Sequence, residues 1–410
     1  MIDVIVVGAG AAGMMAAGTS AERGLKTVLF ERNEKPGRKI MITGKGRCNV
    51  TNDCNEINEL VKNVPVNGKF LFSAFSDFMP EDTIRFFEER NVRLKTERGK
   101  RVFPLSDKSS DIVDCLKNYV LKNKVEIKNQ RIKKIIIENN KAIGVETIEG
   151  ECFYANNIII ATGGKSYPQT GSTGDGYVMA KECGHTIVEL KPSLVPLEVE
   201  EGWCSKAMGL SLRNVTLKVE DTKKKKIIFN EFGEMIFTHF GVSGPLVLSA
   251  SSHIREMEKD RYILHIDLKS ALTAEQLDKR LLREFTENSN KNFINVLDSL
   301  LPKKIVPIIA NLSKIEFSRK ANQITKAQRE DLIKLLKDVK LTLKKFRPID
   351  EAIITSGGIS VKEINPRTME SKIINNLYFC GEILDVDAYT GGFNLQIAFS
   401  SGRAAGNSVN

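Results

Sequence analysis

The feature that most constrains this chain is a turn. Ile2 to Val7, a short apolar run rich in β-branched residues, leads directly into Gly8-Ala9-Gly10-Ala11-Ala12-Gly13. Such a continuous apolar run reads as a buried parallel strand. Met14 to Arg23 is helical and small-faced, Gly24 stops it, and a second strand, Lys26 to Phe30, closes at Glu31. Strand, glycine turn, helix and strand make a βαβ unit. G-x-G-x-x-G at that place is the spacing with which a chain wraps a dinucleotide: Gly8 for the tight turn, Gly10 for backbone approach to a pyrophosphate, and Gly13 for close helix packing. The helix N-terminus then meets the phosphates, and Ala11 and Ala12 in the turn count among the expected cofactor-binding residues. Glu31 sits about 20 residues on, where a carboxylate accepts ribose hydroxyls.

The rest of the chain changes character twice. Residues 80–91 and 109–123 are amphipathic helices, Arg131–Glu138 and Ala142–Ile148 are strands of a hairpin, and the strand Asn157–Ala161 ends in Thr162-Gly163-Gly164. Short alternating stretches follow at Leu194–Val199, Val215–Val219, Lys226–Phe229 and Tyr262–Leu268. Helices then take over to residue 338, with capping-box spacing at Thr273/Gln276 and Thr325/Gln328. From Asp350 the α/β pattern returns, with strands at Ala352–Thr355 and Leu377–Cys380. The expected organisation is a discontinuous dinucleotide-binding domain (1–189 and 349–410), an inserted β-rich, barrel-like substrate domain (190–270 and 339–348), and a helical subdomain (271–338).

Composition narrows the function classes. No stretch approaches the roughly 18 apolar residues of a membrane span, and Ile2–Ala12, with Asp3 inside it and no basic leader, does not read as a signal peptide. Seven cysteines (48, 54, 115, 152, 183, 204, 380) without a CxxC pair suit reduced thiols in a cytoplasm. Four histidines show no metal-ligand spacing, so no metal is expected. Lys and Arg number 61 against 51 Asp and Glu, a net charge of +10. The run Lys223–Lys226 reads as a solvated hairpin tip, and without an RNP-like or helix-turn-helix signature a nucleic-acid partner is disfavoured.

A second signal selects the cofactor. Gly381-Glu382 follows the strand at Leu377, and Gly391-Gly392-Phe393-Asn394-Leu395-Gln396 opens the last helix. Its backbone N–H groups and positive dipole end suit the pyrimidine edge of a reduced flavin. One extended cofactor gripped from both ends of the chain points to FAD over NAD, in a Rossmann-like α/β fold of the two-dinucleotide-binding-domain flavoprotein type.

Five blocks in order now carry a resemblance: RKIMITGKGRCNVTN from Arg38, ATGGKSYPQTGSTGDGYVMA from Ala161, FTHFGVSGPLVLSA from Phe237, TSGGISV from Thr355 and CGEILDVDAYTGGFNLQIAFSSG from Cys380. Together they resemble the aminoacetone oxidase-like family of FAD-binding flavoproteins, which contains BaiN-type steroid reductases. The resemblance implies that Gly8, Gly10, Gly13, Glu31 and Arg32 serve the adenosine end. It implies that Lys39, Thr43, Gly44, Gly46, Arg47, Cys48 and Asn49 run along the cofactor, and that Thr162 and Gly163 pass its adenine-side half. Gly381, Glu382, Gly392, Asn394, Leu395 and Gln396 then lie near the flavin. No histidine precedes His185, so the FAD is expected to be non-covalent. No second strand–GxGxxG–helix unit exists for NAD(P)H, which either docks transiently as electron donor or is replaced by a reducing substrate.

For catalysis the candidates are Lys45 or Arg47, to offset an anionic reduced flavin, Asn394 at the ring edge, and His239 facing a substrate. Cys48 and Cys380 read as packed thiols, and Asp175 as a helix cap. The expected activity is hydride transfer at flavin N5 with a small organic substrate, either an amine or aminoketone oxidase using dioxygen or an NAD(P)H-dependent reductase of an activated C=C bond. A tRNA- or nucleic-acid-associated flavoprotein and a non-catalytic flavin-binding protein are the alternatives. Substrate identity and oligomeric state stay open.

Overall fold

The computed structural model describes residues 1–410 and divides into two units, Met1–Ser193 with Ile349–Asn410, and Leu194–Pro348. The first is built on β1 (Ile2–Val7), α1 (Ala11–Glu22) and β2 (Thr27–Phe30). β1 pairs in parallel with β2 on one side and with Cys152–Ile160 on the other. Glu126–Lys128 extends the parallel sheet beyond β2, and Leu377–Phe379 pairs with the C-terminal half of Cys152–Ile160. The N-terminal half of that strand instead joins the antiparallel hairpin Ile132–Glu138/Lys141–Thr147. Residues of β1 from Val4 to Val7 and all of β2 are buried, as a strand covered on both faces demands.

The helix α1 and the last helix, Phe393–Ser408, cross the core on a seam of small residues. A Cβ on Gly402 would lie 2.4 Å from the Ala12 carbonyl oxygen, and one on Gly406 2.6 Å from that of Ala16. Two helices therefore approach backbone to backbone, which no larger side chain permits. The pairing of 402 with 12 and 406 with 16 also makes the helices parallel.

The second unit is a closed six-stranded antiparallel barrel with helices. Its strands run in the order Leu197–Val199, Gly241–Ser243, Lys226–Phe237, Ser211–Asp221, Tyr262–Asp267 and Val339–Phe346, and the last pairs back with the first. Closure removes both sheet edges. The strand expected at Lys226–Phe229 continues to Phe237 because its residues go on alternating, with Asn230, Phe232 and Glu234 exposed on the solvent face while Phe229, Met235 and Phe237 are buried. Helices Ala274–Glu287 and Lys326–Lys337 both begin with the expected capping boxes: Thr273 and Thr325 accept from the Gln276 and Gln328 N–H groups. Each unit has its own hydrophobic core. No helix is long and apolar enough to cross a membrane.

Candidate functional site: a cleft over two helix N-termini

A cleft in the first unit opens above the carboxyl ends of β1 and its neighbours, where open α/β sheets bind ligands. It encloses about 1360 Å³ of space, including solvent at its mouth. The glycine turn forms its floor. A Cβ at Gly13 would sit 1.8 Å from the Gly8 carbonyl oxygen, so only glycine lets the helix start there, whereas a Cβ at Gly10 would meet nothing within 4 Å. Gly13 therefore serves packing and Gly10 faces the open cleft.

Both Gly10 and Gly392 cap their helices without a side-chain hydrogen bond, and neither first turn carries a carboxylate. The positive ends of both dipoles are left for an anion. Phe393 opens its helix nine residues before Gly402, and Ala11 opens α1 one residue before Ala12. At about 1.5 Å per residue the two N-termini point the same way, staggered by about 12 Å. That is the arrangement a long ligand with two electron-rich stations requires.

Of the residues expected to touch the cofactor, Gly8, Gly10, Ala11, Ala12, Glu31, Arg32, Lys39, Thr43, Thr162, Gly163, Glu382, Asn394 and Leu395 line the cleft. Glu31 is buried: its Oε2 accepts from Ala9 N–H (2.8 Å), and its Oε1 from the Asn33 N–H and side-chain amide. Oε2 keeps a second lone pair for a hydroxyl. Lys39 Nζ donates to Glu382 Oε2 (2.6 Å) and Ser166 Oγ (2.7 Å), while Glu382 Oε1 accepts from Thr355 N–H (3.0 Å). This mostly buried pair ties the helix Arg38–Ile42 to the turn after Leu377–Phe379. The Thr162 hydroxyl is buried with no hydrogen-bond partner. That oxygen packs against the helix Asp175–Glu182, where a Cβ on Gly176 would lie 2.0 Å from it, so it is turned away from the open cleft.

The other expected residues lie elsewhere. Gly44, Gly46, Arg47, Cys48, Asn49, Gly381, Gly392 and Gln396 are not among the lining residues. The Arg47 guanidinium bonds Glu97 (2.5 Å) and Asp107 (2.5 and 2.8 Å) and lies 4.2 Å over the Phe103 ring. It clamps the loop 43–49 to the hairpin Leu94–Glu97/Arg101–Pro104. In that loop Lys45 (φ +60°) and Cys48 (φ +59°) hold left-handed conformations, with Lys45 exposed at its crest. Cys48 is fully buried, and burial pushes its thiol up to about 12 against a weaker opposing hydrogen bond from Thr43. Gln396 is also fully buried and spends both ends inside the protein, accepting from Thr51 and Thr83 and donating to Phe78 O and Ser400. The Asn394 amide clasps the backbone of Ala388. Oriented to satisfy its neighbours, the Asn49 amide oxygen accepts from Gly392 N–H (3.0 Å). In the second unit, His239 is exposed in the turn after Lys226–Phe237, its ring 4.9 Å from that of Phe240.

Two arrangements escaped the sequence reading. Arg131, Arg32 and Thr173 converge on Asp175 at the rim of the cleft (2.8–2.9 Å from Arg131). Burial raises the Asp175 carboxyl, but these partners outweigh it and hold it below its usual range. Asp175 is thus an ion-pair anchor, and it gives its own helix no cap. The second is a serine–histidine–carboxylate line, absent as any sequence signature: Ser371 Oγ lies 2.9 Å from His185 Nε2, and Glu363 3.1 Å from Nδ1. It is no hydrolytic centre, because Ser371 is buried and its oxygen already accepts from the Ile373 and Ile374 N–H groups.

The family of the HI0933-like protein Rossmann domain matches residues 2–408. A 3-dehydro-bile acid delta(4,6)-reductase from Clostridium scindens is 30% identical over 405 residues, covering 98% of this chain and 97% of the relative. A ribosomal RNA dihydrouridine synthase from Escherichia coli is 29% identical over 405 residues, covering 98% and 96%. Among solved structures, the open form of a flavocytochrome c3 fumarate reductase superposes with a TM-score of 0.54 at 17% identity, over 100% of this chain and 78% of that one. That likeness is one of fold.

Proposed function

Because this chain belongs to the HI0933-like Rossmann family of FAD-dependent oxidoreductases, we propose that it is a reductase of a carbon–carbon double bond conjugated to a carbonyl group. One observation carries this reading. Full-length relatives are named for two different substrates, yet both names denote saturation of such a bond: the delta(4,6) double bonds conjugated to a 3-dehydro ketone, and the ring double bond whose loss makes dihydrouridine. Conjugation leaves the far carbon electron-poor and ready to accept a hydride.

FAD bound in the cleft would supply that hydride from its reduced ring. The chain's own residues fit the cofactor. The N-terminus of α1 would hold the pyrophosphate and Glu31 the adenosine ribose. The N-terminus of Phe393–Ser408 would favour the reduced, anionic ring. Lys39 and Glu382 would fix the wall between these stations. NAD(P)H serves as transient electron donor in this reading.

An anaerobic titration tests it. The purified protein should carry acid-releasable flavin, bleach with NADPH or NADH, and regain its yellow colour when a 3-oxo-delta(4,6) steroid acid is added. Bleaching by aminoacetone, with peroxide on admitting air, would replace the reductase by an amine oxidase. A protein that takes up no FAD would overturn both.

A second reading places the double bond in a uridine of RNA. What favours it is the partition of charge: the unit Leu194–Pro348 carries 28 Lys and Arg against 20 Asp and Glu, and the cofactor unit 33 against 31. Nearly all of the +10 surplus sits outside the cofactor unit.

A further inference from the structure

The run Lys223–Lys226 forms the tip joining Ser211–Asp221 to Lys226–Phe237. From sequence alone it reads as a solvated hairpin end. The structure adds an anchor. Asp221, 2% exposed, accepts the Lys223 and Lys224 N–H groups (3.1 Å each) on Oδ1 and so fixes the turn. Arg261, 5% exposed, then grips both oxygens of Asp221 (3.1 and 2.8 Å) and reaches Glu256 and Glu258. Burying such a pair carries a desolvation cost that seldom repays in stability, and its best-attested use is to fix one geometry. A tip that only meets water needs no such fixing.

Four ammonium groups on one tight turn repel each other. Lys223 is offset by Glu258 (2.7 Å), while Lys224, Lys225 and Lys226 are exposed and form no ion pair. These four lysines make up half of the surplus of eight positive charges on this unit. Regularly spaced phosphates relieve their repulsion, and a rigid tip meets them without first losing side-chain and turn entropy to the same extent.

We propose that Lys224, Lys225 and Lys226, presented on the Asp221–Arg261 anchor, dock the phosphate backbone of RNA. This rests on the second functional reading. Phosphate contacts of this kind set affinity and its salt dependence and leave sequence choice to other residues.

The test uses the full-length flavoprotein and a fluorescein-labelled RNA stem-loop with a uridine-rich loop, titrated at several salt concentrations. K224Q/K225Q/K226Q should flatten the slope of log K against log salt by about 3, close to one for each phosphate no longer neutralised. A control of equal charge change on the same unit, K314Q/K320Q/K326Q, should leave the slope near that of the wild type. Flavin content and enone-dependent reoxidation should be unchanged in both. Equal losses in the two variants would show a field of net charge and overturn the tip. An unchanged slope in the tip variant would overturn it while leaving RNA binding standing. No RNA binding by the wild type would remove the second reading too, with the enone assay still deciding the first. Tip-dependent binding to phosphatidylglycerol vesicles in place of the stem-loop would assign the lysines to a membrane surface and overturn the proposal.

Discussion

Two loops flank the cofactor cleft, and they are held in shape by different physics. The turn 8–13 is held by exclusion: Gly13 lies so close to the Gly8 carbonyl that no side chain fits, and nothing but backbone is used. The loop 43–49 is held by attraction: two non-glycine residues sit in left-handed conformations, a buried thiol fills the space beneath, and Arg47 ties the crest to Glu97 and Asp107. Exclusion writes itself into one residue type at fixed spacing. Attraction is shared among partners 50 and 60 residues away. The first loop is therefore brittle to substitution and visible in sequence, and the second is tolerant and hidden.

The contrast breaks first at Gly13. Gly13→Val drives a methine carbon into the Gly8 carbonyl and should cost about 4 kcal/mol or more, the range reserved for severe core faults; soluble yield and flavin absorbance should both collapse. A variant that folds and stays yellow would remove the exclusion argument. Next comes the pair that anchors the helix leading into the second loop. Lys39→Met leaves Glu382 without its cation in a mostly buried site and should weaken FAD binding about tenfold, a loss of about 1.4 kcal/mol. The double variant K39M/E382Q should recover part of this if the loss comes from an unpaired carboxylate, as equilibrium dialysis would show.

A smaller effect belongs to the clamp. Arg47→Met, Glu97→Gln and Asp107→Asn should each weaken FAD only a few-fold, and to a similar extent, because a partly exposed network is screened by solvent. An Arg47 effect much larger than that of the two carboxylates would mean that the guanidinium reaches the flavin after all. Hydrogen bonds from Arg47 and Lys95 hold the Glu97 and Asp107 carboxyls below their usual range. With depressed native values, the clamp is complete above the ordinary carboxylate range, about pH 4, and is lost as pH falls through those values. Proteolytic nicking of 43–49 should therefore stay flat from neutral pH to about pH 4 and rise below it. Thr162→Val gives the smallest effect. The hydroxyl is buried, unpartnered and packed against Gly176, so its removal should leave the flavin-free protein equally or more stable and change FAD affinity by less than about twofold. A larger loss of flavin would show that the hydroxyl turns into the cleft.

The same distinction explains what the sequence could show. The βαβ unit was legible because glycine spacing and a β-branched run leave few alternatives. The capping boxes at Thr273 and Thr325 were legible because both partners lie within one helical turn. The clamp made by Arg47 was not legible, since Glu97 and Asp107 carry no mark of their proximity to it. Gln396 and Asn394 show the same limit. Their place in a glycine-rich helix opening points to a ligand but does not show that Gln396 is a fully satisfied core amide, or that Asn394 clasps the Ala388 backbone while lining the cleft. The Ser371–His185–Glu363 line spans 186 residues and no local pattern announces it. Long-range polar partnerships form only when packing brings the groups together.

The seam between α1 and the last helix has a consequence for synthesis. Ala12 leaves the ribosome 390 residues before the Gly402 against which it packs. At about 5–20 residues per second this is a wait of roughly 20 to 80 seconds. Through that interval the nascent βαβ unit presents an apolar helix face with nothing to cover it, while the barrel segment is translated and can begin to fold. The cleft becomes able to retain its flavin only after the last helix is made. Chaperone holding of the early segment, and release on translation past Gly406, should therefore pace the appearance of yellow protein.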